Sequence, residues 1–516
     1  MSEEAKVTAA PVEAAVRLPK VARIARIGLS DYRAFPSGQP YEFDLSKSGK
    51  NLLLYGENGS GKTSLYRALR DLLALYPGPE NFADLRHIFA PGEEGFVSVG
   101  MTAGTPDEFR WDYGDEHPRK TAGQPYAALA EHCRFLDYKA LLETNFVHRS
   151  GEPNLFGLLV EEVLKDLPVI VGGKLEPLRK LYGRMRALDP GSYQSKRKLE
   201  AVDQACEDFS AALRNHLPEV VEEGNRLVSK LGYNGLSFAL TPTPVYYDRN
   251  KRGFAGQDIT LSVQLFNKPI DYPQIFLNEA RLTALALAIY LGAARLVLRS
   301  PSTDSDETTM VRLLVLDDVL IGLDLANRIP VLTVLNTEFS DWQILLLTYD
   351  RIWFELAKEN TEHSGQWTYL SLRDIRTAPG QIGRPCIEPC PDFLVFADKH
   401  FQSGDLMAAA VYIRAAFEAR IKNVCEKHGI KVNYKSDPKD VKADQLWQGI
   451  VDRQKERQNK RQADFIPTAL VSDVETVRST ILNPLSHSGV PGLVTTEVQF
   501  ALETIKKLQL HQFKKV

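Results

Sequence analysis

Apolar residues change their spacing several times along the 516-residue chain, and each change marks an element. Between Val21 and Leu45, Arg23, Arg26 and Arg33 alternate with apolar residues, and Pro36-Ser37-Gly38 supplies a turn. A period of two predicts antiparallel strands with one buried face. Asn51-Leu52-Leu53-Leu54-Tyr55 is instead an unbroken apolar run, the pattern of a strand covered on both faces of a parallel sheet. From Thr63 to Leu75 the period lengthens, so that Leu65, Leu69, Leu72 and Leu73 share one helical face. Strand, glycine-rich loop and helix follow one another directly.

Leu178, Leu181, Met185 and Leu188 recur at spacings of three and four, as do Leu199, Val202, Cys206, Phe209 and Leu213. Asp189-Pro190-Gly191-Ser192 separates the two runs. The pattern predicts a helical hairpin or short arm inserted into a first domain. A second helix from Ser195 to Leu217 would be about 35 Å long. Alternation returns at Ser237–Leu240 and Ile259–Leu265. An Ala-rich helix is expected over Phe276–Val297, and buried strands over Leu313–Leu316 and Ile344–Leu347. Pro385, Pro389 and Pro391 mark a linker. The expected organisation is an α/β head in two parts, 1–165 and 235–384, with an inserted helical arm over 166–234 and a mostly helical C-terminal domain over 385–516.

Gly56-Glu57-Asn58-Gly59-Ser60-Gly61-Lys62-Thr63, followed by Ser64, satisfies G-x-x-x-x-G-K-[ST] in full. The glycines let successive backbone N–H groups turn inward around phosphate oxygens. Lys62 reaches the β- and γ-phosphates, and the Thr63 hydroxyl ligates Mg²⁺. The strand before the loop and the helix after it are the context that this motif requires. Downstream, Leu313-Leu314-Val315-Leu316 runs into Asp317-Asp318. A carboxylate ending a buried strand can hold the Mg²⁺ shell, the role assigned to Asp317, while Asp318 is placed to polarise the attacking water. Gly322-Leu323-Asp324 follows at the spacing of a D-loop. ATP and Mg²⁺ are the expected cofactors.

Four segments in order, 56–64 (GENGSGKTS), 277–291 (LNEARLTALALAIYL), 313–324 (LLVLDDVLIGLD) and 347–351 (LTYDR), resemble the Walker A, signature, Walker B with D-loop, and switch segments of SMC-like ABC ATPases such as RecF and RloC. The resemblance implies an ABC-type P-loop head and a head-to-head homo-oligomer, an ATP-dependent dimer with two shared sites, in which Asn278 reads the γ-phosphate across the interface. It places Tyr349 at the switch position. Three departures from the family pattern stand out: Asn278-Glu279-Ala280 where the families have Ser-Gly-Gly or Ser-Glu-Gly, Asp318 in place of Glu as in RecF-like proteins, and Tyr349 in place of His. They imply slow hydrolysis, with ATP serving as a conformational clamp. The arm is too short for an SMC coiled coil and carries no zinc hook.

Residues 135–142 (FLDYKALL) resemble the region that replaces the Q-loop in RloC-like and PtuA-like ATPases of bacterial anti-phage systems. This implies an ATPase that controls a nuclease effector, either a partner protein or the C-terminal domain itself. The alternative is a DNA-repair clamp of RecF type, with nucleic acid as the partner.

In the C-terminal domain, Arg414 and Glu418 lie four apart and share a helix face. Together with His487 they resemble the Arg-Glu-His set of the anticodon nucleases RloC and PrrC and of HEPN ribonucleases, which cleave RNA without a metal. Arg478 starts the run that ends in His487 and is a second candidate arginine. Against this, Ser472 and Glu475 have capping-box spacing, which predicts an ordinary helix start there. Composition changes this picture little. Net charge is −3. Residues 391–516 hold nineteen Lys/Arg against fifteen Asp/Glu, which leaves −7 on the remainder. Five cysteines suit a reducing compartment. No long apolar stretch suggests a membrane span, so a soluble cytoplasmic protein is expected.

Overall fold

The computed structural model describes residues 22–38, 40–73, 79, 81–103, 107–121, 123–130, 132–145, 154–165, 167–191, 195–299, 311–375, 383–389, 393–430, 443–484, 492–511 and 513. The chain divides into two compact units, Met1–Glu388 and Pro389–Val516.

The first unit is mixed α/β. Its central sheet has six strands in the order Arg384–Pro389, Trp367–Ile375, Asn51–Gly56, Gln343–Thr348, Leu313–Asp317, Cys133–Asp137. The last five are parallel. Leu313–Asp317 and Gln343–Thr348 are buried at every position, as unbroken apolar runs require when helices cover both faces. An antiparallel sheet, Tyr41–Asp44, Ile24–Ser30, Phe96–Met101, Glu108–Asp112, packs beside it. Helix Lys62–Leu72 lies between the sheets and shares one core with both: Leu65, Leu69 and Leu72 meet Ile27, Phe43, Leu54, Val315 and Leu347.

Two helices occupy the arm region, with additions to the expected hairpin. A two-stranded ribbon, Pro168–Val171 with Lys174–Pro177, precedes helix Leu178–Ala187. The second helix starts at the Ser195 cap, whose hydroxyl accepts from the Lys198 N–H, and runs to Lys230 through Pro218. It therefore reaches about 50 Å. The proline is carried because burial resumes immediately after it: Val220, Gly224, Leu227 and Val228 are buried. There the helix packs on helix Glu279–Arg299 so closely that a Cβ on Gly292 would lie 2.9 Å from the Gly224 nitrogen. Glu338 adds ion pairs to Arg226 and Arg295 at 2.7 Å each, and to Lys230.

The second unit comprises helices Phe393–Gln402, Leu406–Lys427, Ala443–Asn459, Thr468–Val477 and Thr495–Leu510 around Ile413, Phe417, Trp447, Val474 and Ile505. Its fourth helix corrects the capping-box expectation. It starts at Thr468 after Pro467, so Ser472 is interior. The apolar face of Leu470, Val474 and Val477 reaches back a turn before Ser472, and Glu475 instead accepts from the Trp447 indole at 2.7 Å. Among the described residues no helix is long and apolar enough to cross a membrane.

Candidate nucleotide site

Parallel pairing brings distant residues to one edge. Gly56 ends its strand level with Leu372, Asp317 lies opposite both Asp137 and Leu347, and Thr348 opposite Tyr55. The carboxyl ends of parallel strands are where open α/β sheets form ligand crevices.

The loop at this edge needs its glycines. Gly59 and Gly61 take φ of 87° and 110°, a region that side chains disfavour. A Cβ on Gly56 would sit 2.5 Å from Ser60 Oγ and 3.0 Å from the Leu372 carbonyl. Glu57, Asn58, Gly59 and Thr63 are exposed, Ser64 is half-buried, and Ser60, Gly61 and Lys62 are buried. The Lys62 ammonium donates to the Gly56 carbonyl at 2.7 Å and to that of Glu57 at 3.3 Å, and lies 3.9 Å from Asp318. It thus stands inside the loop.

Thr63 donates its hydroxyl to Asp317 Oδ2 at 2.8 Å. The other carboxylate oxygen, Oδ1, is buried without a hydrogen-bond partner among the described residues, as is the Ser60 hydroxyl. Burial pushes the Asp317 carboxyl up to about 6 against the opposing Thr63 bond, with the Asp318 charge adding to the rise. Burial also raises Asp318, opposed by Lys62 and by the Tyr349 N–H, and lowers Lys62 against the pull of both aspartates. Two aspartates thus share the single Lys62 cation at this strand end, and Asp317 Oδ1 is left without a partner among the described residues. A divalent cation with phosphate oxygens is the chemistry they lack: Mg²⁺ takes one or two protein oxygens and fills the rest of its shell with phosphates and water. Thr63 and Asp317 would hold it there.

Asp318 adopts φ of 54°, uncommon for any residue other than glycine. Its N–H donates to the Leu347 carbonyl at 3.1 Å, and its Oδ1 accepts from the Tyr349 N–H at 2.9 Å. This turn aims the carboxylate back toward Lys62. Tyr349 is thus tied to Asp318 through its backbone, while 39% of the residue is exposed. The neighbouring Asp350 caps helix Arg351–Thr361 through Trp353 N–H at 3.0 Å. It also pairs at 2.6 Å with Arg328, whose Nε donates to the Leu323 carbonyl at 2.7 Å. Arg328 thereby ties the loop after Asp318 to the turn that holds it.

Asn278 sits elsewhere in the motif set. The expected helix over Phe276–Val297 is split: Pro273–Phe276 is a short turn, Leu277 is extended, and the long helix starts at Glu279. The cause is local, since the Asn278 side chain accepts from the Arg281 N–H at 3.0 Å and so caps the helix. Its carboxamide is exposed. A Cβ on Gly322 would lie 2.4 Å from Thr283 Oγ1 and 3.2 Å from the Glu279 side chain, so the D-loop packs directly on this helix start.

Sequence reasoning passed over Asp137. It ends the strand beside Asp317, its charge adds to the raised Asp317 pKa, and its Oδ1 accepts from the Ala140 N–H at 2.9 Å. The signal was present, because Cys133-Arg134-Phe135-Leu136-Asp137 ends in an acid as Leu313–Asp317 does.

In the helical unit, Arg414 donates to Glu418 at 2.7 Å and to the Leu482 carbonyl at 3.3 Å. Arg478 is engaged instead with Glu475 at 2.9 Å and Asp444 at 2.5 Å. His487 lies outside the described residues, as does Cys390. No disulfide joins two of the described cysteines.

No protein-family model matches the chain, and no curated protein matches it. Among solved structures, an Smc head with extended coiled coil bound to the C-terminal domain of ScpA, from Pyrococcus furiosus, is 12% identical with a TM-score of 0.42, over 74% of this chain and 99% of that one. The SMC head domain of Thermotoga maritima is 14% identical with a TM-score of 0.34, over 72% and 99%. The recombination mediator RecF-ATPrS of the RecFOR pathway is 11% identical with a TM-score of 0.36, over 68% and 96%. At such scores, what the site does is read from its own residues.

Proposed function

We propose that the chain is an ATP-binding, slowly hydrolysing P-loop ATPase of the SMC-like ABC type. The observation that carries this reading is the convergence of Lys62, Thr63, Asp317 and Asp318 at one sheet edge, with a buried carboxylate oxygen of Asp317 left open beside the Thr63 hydroxyl. Lys62 would complement the β/γ-phosphates, and Thr63 and Asp317 would hold Mg²⁺, which would supply positive charge beside the phosphoryl group. Asp318, fixed by the Tyr349 N–H, orients the water. An aspartate is one methylene shorter than glutamate and is held back toward Lys62, which fits slow turnover and a clamp-like use of ATP.

The site closes, in this reading, against a second copy. Two observations support that partner. Tyr272, Ile275 and Phe276, directly before Asn278, are 64%, 73% and 64% exposed, and Ile321 and Leu325 of the adjoining D-loop are 39% and 38% exposed. Exposed apolar side chains grouped together mark an interaction surface, and Gly322 of the D-loop lies against Glu279 and Thr283 of the helix that follows Phe276. The downstream role is control of a nuclease effector in anti-phage defence, for which the support is the resemblance of residues 135–142. Sedimentation of the purified chain with and without ATP tests the closure: ATP should shift the wild type to a dimer and leave Asn278→Arg monomeric. A dimer indifferent to both changes would overturn the shared-site reading.

A further inference from the structure

Large apolar side chains occupy the middle of one exposed turn. The Ala90 N–H donates to the His87 carbonyl at 3.0 Å, so Ile88 and Phe89 are the two central residues of a β-turn, and they are 86% and 61% exposed. Such positions normally fall to Gly, Pro, Asn, Asp or Ser. The turn is also held in place. Arg86 pairs with buried Asp31 at 2.6 Å, bonds the Gly92 carbonyl at the other end of the loop, and lies 4.6 Å from the centre of the Tyr113 ring. The Phe89 N–H donates to His87 Nδ1 at 3.2 Å. A fixed turn with two uncovered apolar side chains at its tip is built for contact.

This turn stands beside the phosphate loop. The Arg33 N–H donates to the Leu85 carbonyl at 2.9 Å, and the His87 N–H to that of Asp31 at 3.4 Å, which joins the turn to residues 31–35. Those residues meet the phosphate loop, since a Cβ on Gly61 would lie 3.3 Å from the Phe35 ring and 3.6 Å from Ala34. The other exposed apolar group, Tyr272, Ile275 and Phe276, directly precedes Asn278. Both groups are exposed, so neither covers the other within one chain. In a twofold dimer every contact is made twice, residue i on j and j on i. A dimer that sets each phosphate loop against the partner's Asn278 therefore brings the turn beside the one to the apolar group beside the other.

We propose, on the shared-site reading above, that Ile88 and Phe89 dock on segment 272–276 of a second copy, so that two apolar contacts flank the two nucleotide sites. Charge does not oppose this docking: exposed Glu93 and Glu94 follow the turn, and Lys268 and Arg281 accompany Asp271 and Glu279 on either side of the segment in sequence. A nucleobase is the other occupant such a turn could take, but bases stack on rings, and Ile88, the more exposed of the two residues, offers none. The contact adds affinity between the copies, while Asn278 supplies the dependence on ATP.

Sedimentation equilibrium of the full chain with Mg-ATP compares the wild type with the combined variant Ile88→Ser, Phe89→Ser, whose fold is checked by thermal melting and whose ATP affinity is measured on dilute, monomeric chain. The variant should bind ATP as the wild type does but dimerise at least about tenfold more weakly, because two apolar anchors are truncated at each of two contacts. Chains carrying Phe89→Cys, mixed with chains carrying Ile275→Cys under mild oxidation, should form a disulfide-linked dimer in ATP, and neither chain alone should. An equally stable dimer from the Ser variant would overturn this contact and leave the shared site standing. A wild type that stays monomeric in ATP would overturn both. Weaker ATP binding by the dilute Ser variant would assign the turn to the nucleotide instead, and a cross-link that forms equally without ATP, or not at all, would place the second copy elsewhere.

Discussion

Lys62 with Asp318 at the sheet edge and Arg414 with Glu418 in the helical unit are both cation–carboxylate pairs, separated by 3.9 Å and 2.7 Å. The better geometry belongs to the second. Yet Lys62 and Asp318 are 5% and 15% exposed, against 33% and 44% for Arg414 and Glu418. The first pair comes from distant parts of the chain and is held in a site where Asp317 Oδ1 and Ser60 Oγ are also short of partners. The second is an i,i+4 pair on a half-exposed helix face, of the kind worth a few tenths of a kcal/mol. Close approach is therefore a poor guide to function here. Desolvated charge without matching partners is the better one, because its cost is repaid only when a ligand arrives.

The sharpest way to break this comparison is Lys62→Ala. Loss of the buried cation should weaken ATP binding by at least about a hundredfold, read by titration calorimetry, since charge-assisted phosphate contacts are among the strongest available. Arg414→Ala in the same assay should change nothing.

Asp318→Asn comes next. It keeps the acceptor for the Tyr349 N–H but removes the charge near the water, so turnover should fall at least about a hundredfold while affinity stays within about threefold. Normal turnover in this variant would move the catalytic role elsewhere, Asp137 being the nearest acid.

A stability measurement sharpens the contrast further. The Asp317 carboxyl titrates near 6 when folded, against 3.8 ordinarily, so the folded state holds its proton more tightly than the unfolded chain does. Stability is then greatest below the lower value and falls as pH rises through that window. Asp317→Asn should remove this slope and stabilise the nucleotide-free protein at pH 7 by about 1–3 kcal/mol, while weakening Mg²⁺-dependent ATP binding. Destabilisation at pH 7 would contradict the assignment of buried, uncompensated charge.

The smallest effect is expected at the exposed pair. Glu418→Gln should change the melting free energy of the chain by less than about 1 kcal/mol. A larger loss would mean that Arg414 depends on this partner to hold the Leu482 carbonyl, and that the pair organises the end of its helix bundle.

The phosphate loop was legible because its chemistry is local: eight consecutive residues create the left-handed glycines and the inward N–H groups wherever strand and helix flank them. Asp317 and Asp318 were legible for the same reason, as an apolar run ending in acid. Asn278 was found as a motif position, but its helix-capping bond redrew the helix that sequence periodicity had begun three residues too early. The continuation of the arm helix through Pro218 was hidden, since its compensation is the close packing of Gly224 on Gly292 and the ion pairs of Glu338, all made with segments far along the chain. Likewise only the strand order put Asp137 beside Asp317, and only contacts between distant segments bent Asp318 toward Lys62 and laid the ribbon of residues 246–255 along the arm helix. Sequence by itself determined which short segments could hold phosphate and magnesium, because those depend on neighbouring residues. Tertiary structure decided which charges were stripped of water and left without partners, because desolvation is a property of everything packed around a group.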